Sequence, residues 1–184
     1  MLRKSLISLL VIVIYIGSCI LIYNSETSNN DNKKISITNI SSNTNTSNKV
    51  NYINNNIKEK PIAKLHIDKI NLTKDIYDIN SSHNNVEENV TILNDDKNLI
   101  VLAAHSGPGS IAYFNNLDKL DLNDKISLIK NNKENNYKVI KIEEQVKDGT
   151  IEINKTNKER LILTTCSKKD KNKQLVIITE KIDA

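Results

Sequence analysis

Tryptophan is absent from these 184 residues, phenylalanine and methionine occur once each, and glycine and proline number four and two. With Asn, Lys and Ile abundant, these scarcities are the imprint of an AT-rich coding bias and carry no function. Only two cysteines are present, and Cys19 lies in an apolar run far from Cys166, so no disulfide framework can form within a folded domain. Cys166 is then either buried filler or reactive. Blocks of one charge are missing as well. The 26 basic and 22 acidic residues leave a formal charge of +4, and they are interspersed, which speaks against nucleic-acid binding. His66, on the first strand, and His83, in a polar segment, lack the spaced Cys, His or Asp partners that zinc requires. No metal and no cofactor is expected. Arginine is nearly absent too, with only Arg3 and Arg160.

What the chain does contain divides it into four stretches. Residues 1–4, with Arg3 and Lys4, form a cationic tip. Residues 5–23 carry no charge and are mostly Leu, Ile and Val. As a helix this run spans about 28 Å, close to the hydrocarbon thickness of a bilayer. Positive residues before it and Glu26 and Asp31 after it place the N-terminus in the cytoplasm and the rest outside. The expected location is the cell membrane, through a single transmembrane anchor. A rival reading takes Ile16-Gly17-Ser18-Cys19 as a lipoprotein processing box, but the apolar run continues through Tyr23, where a polar mature sequence is expected. Residues 24–56 are Asn, Ser and Thr with few large apolar groups, too few to offset the entropy of ordering them. They read as a flexible stalk with a root-mean-square reach of about 30 Å. Residues 57–184 are left as one domain of ordinary size.

Within that domain the pattern changes to short β-branched runs at 62–67, 70–77, 99–104, 125–130, 137–146, 160–165 and 175–180, separated by Asn, Asp, Lys and Gly. Seven or eight strands in about 125 residues predict a mostly-β fold, a closed barrel or a sandwich. Two interruptions, 81–90 and 110–120, are expected to be short helices or 3₁₀ turns.

Two of these strands end in chemistry. Arg160-Leu161-Ile162-Leu163-Thr164-Thr165-Cys166 is a buried strand closed by a thiol and followed at once by a polar loop. Alternation puts Cys166 on the face of Thr164 and Ile162. Leu99-Ile100-Val101-Leu102-Ala103-Ala104-His105 has the same form and runs into Ser106-Gly107-Pro108-Gly109, a tight turn. Either residue alone reads as a packed or surface group. As a pair they suffice for acyl transfer, because an imidazolium beside a sulfur favours the thiolate and supplies a proton to a leaving amine.

At these segments the chain resembles the sortases. "LILTTCS" is similar to their Leu-x-Thr-Cys strand, and "LIVLAAHSGPGSIAYFNNLDKLDLNDKISL" to their histidine segment. "PIAKLHIDKINLTKDIYD" resembles their opening strand pair and "NNVEENVTIL" their first helix. The resemblance runs from about Pro61 onward, in family order. It implies a closed eight-stranded β-barrel with one or two short helices. It further implies a transpeptidase that acts on surface proteins bearing a C-terminal sorting signal similar to Leu-Pro-x-Thr-Gly. Cys166 would form a thioacyl-enzyme with the Thr carbonyl. An amine on a cell-wall precursor or a pilin would release it, with His105 as general acid and then base. A papain-like hydrolase fits poorly, since there the cysteine comes first in the chain and sits on a helix.

One family element is missing. The resemblance implies an arginine at the start of the last strand, where this chain reads Asn172-Lys173-Gln174-Leu175. Gln174 aligns there, with Lys173 one register away; the first offers a neutral donor, the second a charge without a planar fork. Arg160 stands six strand residues, about 20 Å, from Cys166 and reads as a solvated strand-start charge. Losing an oxyanion donor commonly lowers a rate by about 10²–10³. The alternative to an active transpeptidase is therefore a sortase-fold protein that binds peptides without turnover.

Overall fold

In this computed structural model the residues described are 32–36 and 59–182, with side chains from 59 onward. The run 5–23 and most of the stretch read as a stalk lie outside them. No helix among the described residues is long and apolar enough to cross a membrane. The ten strands among the described residues are β1 (Asn32–Ser36), β2 (Ala63–Ile67), β3 (Leu72–Ile76), β4 (Thr91–Asp96), β5 (Leu99–Ala103), β6 (Lys125–Lys130), β7 (Lys133–Val146), β8 (Thr150–Asn154), β9 (Arg160–Cys166) and β10 (Lys173–Lys181). The chain divides into two compact units, residues 1–34 with Glu152–Thr156, and residues 35–151 with 157–184. β1 and β8 make a two-stranded sheet of their own. β1 thus gives secondary structure to five residues inside the segment read as a flexible stalk.

The larger unit holds an eight-stranded sheet in the order β3-β2-β6-β7-β10-β9-β5-β4. Its two edges, β3 and β4, share no ladder among the described residues. The barrel is therefore nearly closed, where the sequence suggests a closed one. Period-two burial builds the interior: Leu65 and Ile67 of β2, Ile126 and Leu128 of β6, Leu161 and Leu163 of β9, and Ile177 of β10 join Phe114 and Leu117 in one core.

β9 differs from the other strands. Its residues from Arg160 to Thr165 are all buried, on both faces. It lies between β5, to which it runs parallel, and β10, to which it runs antiparallel. A strand covered on both faces reads as a continuous apolar run and not as an alternation, and this is why "LILTT" is uniform in sequence.

Several expectations change. Residues 81–90 fold as turns with no helix, tied together by the buried Asn84, which accepts from the Ile92 N–H and donates to the Ile79 and Ile92 carbonyls. An asparagine that replaces main-chain partners competes with helix formation, which the apolar spacing alone does not reveal. In 110–120 only Leu117–Lys119 is helical, a 3₁₀ turn, and a second one lies at Asp68–Ile70. β4 and β8 went unrecognised because the first is half polar and the second, Thr-Ile-Glu-Ile-Asn, has only two apolar residues. Arg160 is not a solvated charge: it is 8% exposed, and its Nη2 donates to Glu180 Oε1 at 3.0 Å.

Hydrogen bonds from Lys158 and then Arg160 hold the Glu180 carboxyl below the usual glutamate range, against the opposing effect of burial. A lowered carboxyl contributes stability above its unfolded value of about 4.3 and loses it as pH falls through the folded value. Glu180→Gln should therefore cost at least about 1 kcal/mol at pH 7. Urea titrations at a series of pH values should show the difference between variant and wild type shrinking below about pH 4.

Candidate active site

Cys166 and His105 are brought to the same place by the β5–β9 ladder. The parallel register pairs Leu99 with Arg160 and Ala103 with Thr164. Hydrogen bonds continue it beyond β5: Ala104 N–H donates to the Thr164 carbonyl at 3.4 Å, and Thr165 Oγ1, buried, donates to the Ala104 carbonyl at 2.7 Å. Ser106 Oγ then donates to the Cys166 carbonyl at 2.7 Å. His105 is thus bracketed by two bonds to the cysteine's strand. Carried two residues past Ala103, the register sets it beside Cys166 and on the same face. The Phe114 N–H donates to the His105 carbonyl at 3.0 Å, and the Phe114 side chain is fully buried, so the core itself fixes the histidine's backbone.

The imidazole is turned toward Glu87. His105 Nε2 lies 3.3 Å from Glu87 Oε1, with side-chain exposures of 36% and 67%. Among the described residues no hydrogen bond links the imidazole to the thiol. The sulfur instead accepts from Lys147 Nζ at 3.1 Å. Cys166 stands half-buried at the rim of a cavity of about 370 Å³. Phe114, Ile142 and Leu175 supply its apolar part, and Ser106, Thr165 and Glu144 its polar part. Lys168 closes one side by donating to both oxygens of Asp118. Such a recess can seat a side chain of a peptide whose carbonyl meets the sulfur.

The two residues at the missing-arginine position part company. Gln174 is the ladder partner of Cys166 and so shares its face. Its amide, however, donates to the Val146 carbonyl at 3.3 Å and the Thr150 carbonyl at 2.5 Å. Lys173, one residue away, projects from the opposite face of β10. His66 bonds Thr73 and Asp68 on the strand surface, and His83 packs its ring 4.9 Å from that of Tyr77. No cluster able to hold a metal ion occurs among the described residues. Glu87 and Lys147 were missed by sequence reasoning. Each is one charged residue in a polar turn, and neither carries any signal of its distant partner.

A sequence model of the Sortase domain matches residues 65–182. The chain belongs to the sortase family. No curated protein matches it in sequence. Among solved structures it is similar to a lid mutant of sortase A from Corynebacterium diphtheriae, at 20% identity and a TM-score of 0.56, over 68% of this chain and 73% of that one. Sortase C1 from Streptococcus agalactiae matches at 20% identity and a TM-score of 0.56, over 67% and 68%. Sortase C-1 from Actinomyces oris matches at 20% and 0.55, over 68% and 76%. Those likenesses establish the sortase fold, and the family is one of cysteine transpeptidases.

The bond from Thr165 to Ala104 ties the two strands together one residue before each of the paired side chains. Thr165→Val keeps the shape and leaves a buried carbonyl unpaired, so it should cost about 1–3 kcal/mol. Thermal denaturation should register this as a fall of several degrees in Tm; an unchanged Tm would mean that water replaces the hydroxyl.

Proposed function

We propose that this sortase is a membrane-anchored transpeptidase that cleaves a Leu-Pro-x-Thr-Gly-like sorting signal. It passes the new carboxyl end to an amine on a cell-wall precursor or a pilin. The observation that carries this reading is the register of two parallel, hydrogen-bonded strands, which sets His105 beside Cys166, and Cys166 lines a recess of about 370 Å³.

The Cys166 thiolate attacks the carbonyl carbon of the signal's threonine. A C–S bond forms, and the carbonyl electron pair moves to oxygen. Collapse breaks the C–N bond, and the departing glycine amine takes a proton from the His105 imidazolium. The incoming amine attacks the thioester, gives its proton to His105 and releases the thiolate. Glu87 sits where it can hold the imidazole ready. Two sources of acceptor are retained, because the neighbouring solved structures include both sortase A and sortase C, one of the latter described as belonging to a pilus island. The anchor rests on the uncharged run 5–23, which places the catalytic unit outside the cell.

A second reading, a sortase-fold protein that binds signal peptides without turnover, is favoured by the uncharged Gln174 at the family's arginine position. Incubating the full-length protein with a panel of sorting-signal peptides and measuring intact mass separates the two. The transpeptidase forms a hydroxylamine-labile adduct on Cys166. Cys166→Ala abolishes it, and His105→Ala slows it by about 10²–10⁴. Peptide binding without an adduct at any pH would leave the second reading standing.

Cell fractionation examines the anchor. The protein should sediment with membranes and keep an intact N-terminus; a mature chain starting at a lipid-bearing Cys19 would replace the helix by a lipid.

A further inference from the structure

We infer that Lys147 is the cation of this active site and that Gln174, at the position where the family carries its arginine, positions it. The reaction it serves is the transpeptidation proposed above, on which this inference rests.

Among the described residues, Lys147 Nζ is the charged group in contact with the sulfur, at 3.1 Å. The residue is exposed, on the turn that follows β7. A long surface lysine would ordinarily sweep a wide volume, but the backbone beneath this one is held on several sides. The Lys147 N–H donates to the Asn172 carbonyl at 2.8 Å, joining the turn to the loop that leaves Cys166. The Thr150 N–H donates to Asp148 Oδ1 at 3.0 Å, and Gly149 takes a φ of 82°, a conformation that closes the turn and favours glycine.

Gln174 supplies the remaining hold. It is buried, directly opposite Cys166 in the ladder, and its amide donates to the carbonyls of Val146 and Thr150, the residues on either side of the turn. Thr164 Oγ1 lies 3.4 Å from Gln174 Oε1 and 3.2 Å from the Leu175 carbonyl, and its single proton serves one of the two at a time. An amide with two donors and no charge suits two main-chain carbonyls. The usual arrangement is therefore divided here between two residues, a neutral anchor at 174 and a charge delivered from the neighbouring turn. Of the other basic groups near the site, Lys168 is bonded to Asp118, Lys173 projects from the opposite face of its strand, and Lys169 lines the recess but has no hydrogen bond to the sulfur among the described residues.

The ammonium can serve two stages. In the resting enzyme it donates to the sulfur, the atom that attacks. As the C–S bond forms, negative charge moves from sulfur to the carbonyl oxygen, and a flexible point charge with three donors can follow it. The lysine gains and loses no proton in either step; His105 carries the proton traffic.

The test uses the full-length protein and two readouts, the rate at which iodoacetamide alkylates Cys166, followed by peptide mapping, and the rate of thioacyl adduct formation with a sorting peptide. Lys147→Met should slow both by at least about ten-fold, and Lys147→Arg should restore both to within a few-fold. Gln174→Leu should slow both as well, but add nothing in the Lys147→Met background, as expected of a residue acting only through the lysine. Because Lys147 is exposed, its variants should fold as wild type does. Wild-type rates in Lys147→Met would overturn the inference. So would a hydroxylamine-resistant adduct on Lys147, which would make it an amine acceptor. If Lys147→Met slows alkylation while no protein, wild type included, forms a thioacyl adduct, the cation stands and the transpeptidase reading falls.

Discussion

The parallel pairing of β5 with β9 is the constraint on which the rest depends. It is the only parallel ladder among the described residues of the larger sheet, and the only one that carries the two paired side chains to the same end. In an antiparallel pair the two strand ends would lie at opposite ends of the sheet. Everything around it serves to hold that ladder. β10 covers the other side of β9, its residues from Arg160 to Thr165 are buried on both faces, and Thr165, Ser106 and Phe114 extend its hydrogen bonding past the last residue of β5.

Rigidity at the strand ends contrasts with the polar shell around them. Glu87 and Lys147 reach the imidazole and the sulfur from turns, on side chains with long apolar stems. Exposed pairs of this kind contribute little to stability, about 0–1 kcal/mol. In the reaction proposed above, their value lies in what they do to a charge that appears as bonds are made and broken. The division is the familiar one between a scaffold that positions and loops that act.

The sequence made the barrel and the strand-end positions of Cys166 and His105 legible because both are written locally. A buried strand ending in a polar residue is visible within seven letters, and β6 is seen with both ends correct because Lys125 and Lys130 flank its apolar residues. Features set by distant partners were not legible. Asn84 replaced an expected helix with turns by bonding Ile92, eight residues on. Arg160 looked solvated because nothing near it in sequence marks Glu180 as its partner. Lys147 and Cys166 are nineteen residues apart, one just after β7 and the other at the end of β9, strands that each pair with β10. Gln174 was legible as a departure from the family's arginine, but its two carbonyl partners were not.

β9 also carries a lesson about when this chemistry can first exist. It is flanked by β5, made some sixty residues earlier, and by β10, the last of the described strands to be synthesised. The pairing with β10 is local, but one as distant in sequence as that with β5 forms late, after the loop-closure entropy of the intervening chain has been overcome. Neither the imidazole nor the thiol meets its surroundings until then. A chain not yet folded carries its cysteine unpositioned, next to neither histidine nor lysine, and folding itself acts as the zymogen lock.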